Sequence, residues 1–236
     1  MIWGSGVFTA ILWVMMALTG GVGWLEKITS KPVMRGIMLG LGISFIMEGL
    51  DLAKDQPLLA AVAAVLTLVF LTSQRVPAML LLLTLGIGYS LVRDPDLITQ
   101  LSLVSPHFRL PELALGRLTW NDLVLGALVL GLPQAPLTLG NAILGTATEN
   151  NELFPHRPVK ARTLALDHGL MNLVAAAIGG VPLCHGAGGM AGHVRFGART
   201  GGALVMLGTI VTFIGLFFSN SVALLLGLVP TAVLGV

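Results

Sequence analysis

The stretch VPLCHGAGGMAGHVRFGARTGG, residues 181–202, follows directly on an apolar run and holds the chain's only cysteine, His185 and seven glycines. Glycine inside a helix costs about 0.8–1.0 kcal/mol relative to alanine, so an ordinary membrane-crossing helix is a poor reading of this stretch. Pro182 marks a break, and the residues PLCHG look too irregular for helix. From Gly186 the spacing predicts a short helix ending near Gly197, with Arg195 and Arg199 in or just past its last turn. Basic residues there suit the negative end of the helix dipole and the lipid headgroups. The stretch therefore reads as an extended piece followed by a half-helix that starts inside a membrane. Free N–H groups at such a start attract anions, and glycines let a ligand approach the backbone closely.

Composition supports the membrane. The 236 residues are 55% hydrophobic and 10% charged, with a mean hydropathy of +0.91. A soluble domain carries about 25% charged residues. A net charge of +2 without a basic run excludes a nucleic-acid partner and leaves the lipid bilayer as the principal surroundings. A single cysteine, Cys184, excludes an intrachain disulfide. The opening MIWGSGVFTAILWVMMALTGG has no basic region before its apolar stretch, so it reads as a spanning helix and not a signal peptide.

A span needs about 20 mainly apolar residues. Blocks near that length lie at 5–25, 33–50, 57–73, 77–92, 121–145, 163–180, 200–219 and 221–236, giving about eight spans plus the half-helix. The last runs to Val236 without a polar flank and the first lacks a leader, so the expectation is a piece of a longer transporter. Alternating the loops puts Lys27, Lys31, Arg35, Arg75, Arg157, Lys160, Arg162, Arg195 and Arg199 on one side, and Lys54, Arg93, Arg109 and Arg117 on the other. The positive-inside rule places the first group in the cytoplasm. The expected setting is the inner membrane of a prokaryote.

Segment 93–120 is the one long connection and is expected along the outer surface. Thr119 and Asp122 then have capping-box spacing at the start of a helix. Along that helix Pro133 and Pro136 lie about 17–21 Å beyond Asp122, near the middle of a bilayer. Gln134, Thr138 and Asn141 follow at i, i+4 and i+7, on one helix face. Polar groups at this depth face a cavity or another helix, because lipid cannot satisfy them. Inter-helix hydrogen bonding explains them as readily as a site, and the prolines favour the site by freeing backbone carbonyls.

Cys184 and His185 sit at the expected half-helix start. Adjacent ligands without a second Cys/His pair make a poor metal site, and no acid near them in sequence completes a triad. No metal or other cofactor is expected. His168, beside Asp167 and the basic loop 157–162, reads as interfacial. Asn172 lies deeper, where a polar cluster and helix packing account for it equally well.

The segments PQAPLTLGNAI and PLCHGAGGMAGHVRFGARTGG resemble signatures of the molybdate transporter family of plants and microbes, relatives of the SulP sulfate permeases. KPVMRGIMLGLG and RVPAMLLLLTLGIG resemble that family's middle region. The resemblance implies an all-α polytopic membrane protein with two inverted repeats of seven segments, of which this chain is a fragment. Each repeat has a broken third segment, and here that is the half-helix around 181–198. The first three and final two segments would lie outside the chain. Residues 1–25 and 121–219 would then form the core part, and 33–92 with 221–236 the gate part.

The function this implies is secondary transport of a tetrahedral oxyanion, molybdate first and sulfate second, coupled to protons; the protein would not be an enzyme. Gln134, Thr138 and Asn141 are the candidate side-chain donors. Gly186, Ala187, Gly188 and Gly189 would offer backbone N–H groups, with Cys184 and His185 lining the site. A nucleobase symporter is the alternative within the same fold, and would favour a carboxylate at mid-depth. An intramembrane hydrolase using Cys184 and His185 is the alternative outside transport. A second copy of the chain, in a homodimer, completes the expected partners.

Overall fold

Helices make up the fold, and no strand occurs among the described residues. The structure is a computed structural model describing every residue except Thr72, Gln74, Arg75 and Phe196, together with the side chains of all but Lys31, Met34, Ile37, Met38, Leu41 and Leu115. Arg75, counted above among the inner basic residues, and Phe196, within the expected half-helix range, lie outside the described residues. In chain order the helices are α1 (Ile2–Thr19), α2 (Gly21–Ile28), α3 (Lys31–Ala53), α4 (Pro57–Phe70), α5 (Ala78–Arg93) and α6 (Asp96–Ser102). There follow α7, a continuous helical run over Trp120–Leu153, then α8 (Ala161–Ala177) and α9 (Ala187–Arg195). The last are α10 (Gly202–Phe217), α11 (Val222–Gly227) and α12 (Thr231–Leu234).

The chain divides into two compact units, Met1–Gly40 with Pro111–Arg195, and Leu41–Leu110 with Phe196–Val236. In the first unit α1 packs against both α7 and α8. Glycines make the approach close. A Cβ at Gly4 would strike the Asp122 carbonyl, one at Gly126 would strike the Gly4–Ser5 backbone, and one at Gly169 would meet the Val14 side chain and the Ala10 carbonyl. Small residues let membrane helices come together in this way, where lipid removes the usual hydrophobic drive. The core around Trp13, Val22, Ile143 and Ala165 fills the space between these helices. The first apolar block is not one helix: Gly20, at φ 81, ends α1, and Arg162 donates from Nε to the Ala17 carbonyl at 2.7 Å. A basic group there suits the negative helix end.

α7 begins with the expected capping box, in which Thr119 and Asp122 satisfy one another's backbone N–H groups. It then alternates α-helical turns with wider π-helical ones at Gly126–Gly131 and Thr138–Gly145. Pro133 and Pro136 lie in the α-helical stretch between them. Each proline removes a donor from the helix interior, and π turns are a way for a helix to shift its pairing past such a defect.

The decisive break follows α8. Gly179, at φ 75, is its left-handed cap; Gly180 N–H donates to the Ala175 carbonyl at 2.7 Å and Gly179 N–H to Ala176 at 3.3 Å. This is a Schellman motif with glycine at the position that requires positive φ. Trp3 Nε1 donates to the Gly179 carbonyl at 2.8 Å, and Ala114 N–H to Ala177 at 2.8 Å, so the ending is fixed from two other segments. Residues 180–186 then run without helix. Their backbone is held by Asn172, which is fully buried: its Nδ2 donates to the Leu183 carbonyl and its Oδ1 accepts the Leu183 N–H, both at 2.9 Å. Helix α9 starts at Ala187, with Met190 N–H donating to Gly186 at 3.1 Å, and Gly197 lies beyond its end at φ 97. The extended piece and half-helix stand where the glycine pattern put them.

In the second unit α4, α5 and α12 share a core of Leu59, Ala60, Ala63, Leu82, Ala232 and Val233. α10 buries none of its residues and presents Leu204, Val205, Met206, Ile210 and Val211 outward. It falls in the unit formed by Leu41–Leu110 and Phe196–Val236. Part of the long connection is tied to its end, with His107 N–H on the Phe217 carbonyl and Arg109 N–H on Leu216, each 2.8 Å. Block 221–236 is two short helices separated by Pro230, not one span. Among the described residues, two helices, α1 and α7, are by length and composition able to cross a membrane, or four if α5–α6 (bent 107°) and α10–α11 (bent 92°) each count as one.

Three substitutions have definite expected outcomes. Gly126→Ala forces a Cβ into the α1 backbone and lowers the melting temperature by several degrees, on the order of 2 kcal/mol. Gly208→Ala faces open space and leaves the melting temperature equal or higher. Asn172→Ala leaves both backbone groups of Leu183 without their partner, costing about 1–3 kcal/mol for each. Hydrogen exchange at the Leu183 amide should then accelerate more than exchange in α1.

Candidate functional site

The first unit contains a cavity of about 260 Å³ whose walls come from four segments. α1 contributes Ile2, Ser5 and Thr9; α7 contributes Leu130, Gly131, Gln134 and Thr138; α8 contributes His168; the extended piece contributes Pro182, Leu183 and Cys184. Each is there for a structural reason already given. The glycine contacts bring α1 against α7, and the Asn172 clamp lays residues 182–184 alongside α8.

Of the expected site residues, the structure brings Gln134, Thr138 and Cys184 to one cavity. Thr138 is 2% exposed, so its hydroxyl sits deep, whereas Gln134 and Cys184 are more open. Asn141, the third expected side-chain donor, is not among the wall residues. The reason is the π winding that begins at Thr138: pairing across five residues turns each residue less than an α-helix does, and i+3 no longer returns to the same face. Its carbonyl accepts the Thr146 hydroxyl at 3.1 Å, five residues on. Gly186, Ala187, Gly188 and Gly189 lie past the wall, where α9 starts.

His185 is also off the wall, but next to it. Its ring lies 5.6 Å from that of His168, and its Nε2 meets Asp167 Oδ2 at 2.8 Å. Cys184 donates from Sγ to the His185 carbonyl at 3.0 Å, not to the imidazole. The two side chains therefore do not form the thiol–imidazole pair that a hydrolase needs. Among the described residues no group of three or more His, Cys, Asp or Glu is arranged to hold a metal ion.

Sequence reasoning missed Ser5, Thr9 and His168. His168, expected at the interface, is 1% exposed and packs edge-on to Trp13 with ring centres 6.3 Å apart. Its neighbour Asp167 and the basic loop drew the interfacial reading, yet adjacent helix residues point 100° apart, and only Asp167 faces outward. Ser5 and Thr9 carried the i, i+4 signal of a shared face within the first apolar block.

Chemically the wall offers hydroxyls, an amide, a thiol and an imidazole. The described wall residues include no carboxylate, lysine or arginine. That set suits an oxygen-rich solute held by neutral donors.

Comparison with known proteins agrees with this chemistry. A family model described as "Molybdate transporter of MFS superfamily" matches residues 126–236, which include the polar face of α7, the break and α9. Molybdate transporter 2 of Arabidopsis thaliana is 29% identical over 98% of this chain and 59% of its own length. Molybdate transporter 1 of Chlamydomonas reinhardtii is 38% identical over 68% of this chain and 31% of its own length, and Molybdate transporter 1 of Arabidopsis thaliana is 25% identical over 98% and 59%. The chain thus spans three fifths or less of the length of these relatives. No solved structure matches it. The family match, the relatives and the apolar helices make this chain an integral membrane protein of the molybdate transporter family.

Proposed function

We propose that the chain carries a substrate site of a proton-coupled secondary transporter for tetrahedral oxyanions, with molybdate the anion transported. The observation that supports this best is the cavity wall, which sets neutral donors on α1 and α7 beside the extended piece. A tetrahedral dianion accepts hydrogen bonds on every oxygen, and hydrogen bonds to charged groups contribute about 1.5–3 kcal/mol each. The Thr9 and Thr138 hydroxyls and the Gln134 amide supply the donors from two helices, while Ser5 Oγ donates to the Ile2 carbonyl at 2.7 Å and Cys184 Sγ to the His185 carbonyl, so those two line the cavity as neutral polar groups. α9 begins three residues beyond Cys184, and the N–H groups of residues 186–189 add the positive end of a helix dipole at the rim.

A nucleobase would favour a carboxylate in the wall, which the described wall residues do not supply. Sulfate has the same shape and charge, and is the competitor against which molybdate is to be measured. In this reading the first unit holds the substrate, the second contributes the gate, and the loops rich in Lys and Arg face the cytoplasm.

Binding to the purified full chain tests the proposal. Molybdate should bind, sulfate should displace it weakly, and uracil should not compete. Thr138→Val and Gln134→Leu should each weaken molybdate about tenfold, or about 1.4 kcal/mol, whereas Asn141→Leu stays within about twofold. Saturating molybdate should also slow alkylation of Cys184 by a maleimide about tenfold. Uracil binding without molybdate competition, or unchanged affinity in both wall variants, contradicts the proposal.

A further inference from the structure

A dianion entering this cavity needs compensating charge. Moving an ion from water into a low-dielectric site costs several kcal/mol even after relaxation, and neutral donors alone offset only part of it. Among the described wall residues one side chain is able to become cationic: His168. It is buried, and its Nδ1 has no hydrogen-bond partner. The adjacent His185 ring, 5.6 Å away, also has a buried Nδ1 without a partner. On its far side His185 meets the carboxylate of Asp167, whose side chain is 65% exposed. The three groups form a line from the cavity to the outside of the unit.

We infer that His168 takes up a proton as the anion enters and releases it through His185 and Asp167 as the anion leaves. This rests on the transporter reading and names the residues that couple it. The carboxylate at Nε2 of His185 keeps that ring's proton on Nε2 and leaves Nδ1 as an acceptor turned toward the interior. On release, one proton passes from His168 Nδ1 to His185 Nδ1. The imidazolium so formed gives its Nε2 proton to Asp167, which gives it to water. One proton moves along the relay, and no other bond is made or broken. Uptake runs the same steps in reverse.

The surroundings of His168 make it the natural carrier. From its own helix it has Asp167, with Arg162 near the helix start and bonded to α1. The extended piece brings His185 and Cys184. α1, packed along α8, and the π turn Thr138–Gly145 have no titratable side chain, and α2, also packed on α8, carries Glu26 and Lys27. A proton on His168 and a dianion in the cavity therefore stabilise one another directly, and linkage makes the effect reciprocal: protonation tightens anion binding, and the anion raises proton affinity.

Calorimetry on the full chain with sodium molybdate, in buffers of different ionisation enthalpy, measures the proton count. The wild type should take up about one proton per anion over the neutral range, with affinity falling about tenfold per pH unit as pH rises. His168→Gln should still bind molybdate, more weakly, with no proton uptake and a flat pH dependence. Asp167→Asn keeps His168 and should retain proton uptake at equilibrium, while uptake into proteoliposomes driven by a pH gradient slows at least tenfold. Proton uptake that survives in His168→Gln overturns the inference, as does wild-type binding without any proton or gradient-driven uptake unchanged in Asp167→Asn; all three leave the transporter reading standing. A wild-type chain that binds no molybdate overturns both.

Discussion

A chain that leaves the helical conformation among apolar helices must find partners for the backbone groups it frees, and at Leu183 both partners are the carboxamide of Asn172. An amide is the one side chain that donates and accepts in the plane of a peptide, so it stands in for a neighbouring strand. The clamp depends on its own supports. Asn172 also donates to the His168 carbonyl one turn back, and the Schellman ending at Gly179 sends the chain back along α8. Trp3 and Ala114 hold that ending from two other segments. Without these contacts Cys184 would have no fixed place in the cavity wall.

The other walls follow from close packing. Gly4, Gly126 and Gly169 remove the side chains that would hold α1 away from α7 and α8, and that approach brings Ser5 and Thr9 opposite Thr138 and Gln134. The same proximity explains the π turns. α7 carries two prolines in its interior, and its pairing is re-registered on both sides of them while Gly126 and Gly131 remain against α1. A helix chosen only for length would not need them. Here they set which side chains of α7 face the cavity.

The local chemistry of the break was legible in the sequence, because glycine, proline and capping residues act over a few positions. Pro182, the run of glycines from 186 and the Thr119–Asp122 box each carry their own signal, and the structure breaks or caps its helices there. What depended on winding or distant packing was not legible. Asn141 left the wall because π turns change the angular step, which spacing alone assumes to be that of an α-helix. The polar sequence neighbours of His168 suggest an interfacial position, while its burial comes from Trp13 on α1 and His185 beyond the break. The block 221–236 has the composition of a span, yet Pro230 divides it into two short helices.

The central claim is that the anion sits between α1, α7 and the extended piece. Molybdenum scatters anomalously, so a structure of the chain with molybdate bound, with data collected near the molybdenum absorption edge, locates the anion without reference to any variant. A single strong peak inside the cavity bounded by Thr9, Thr138, His168 and Cys184 is the expected result. A molybdenum peak outside that cavity, with the cavity itself empty, would contradict the account.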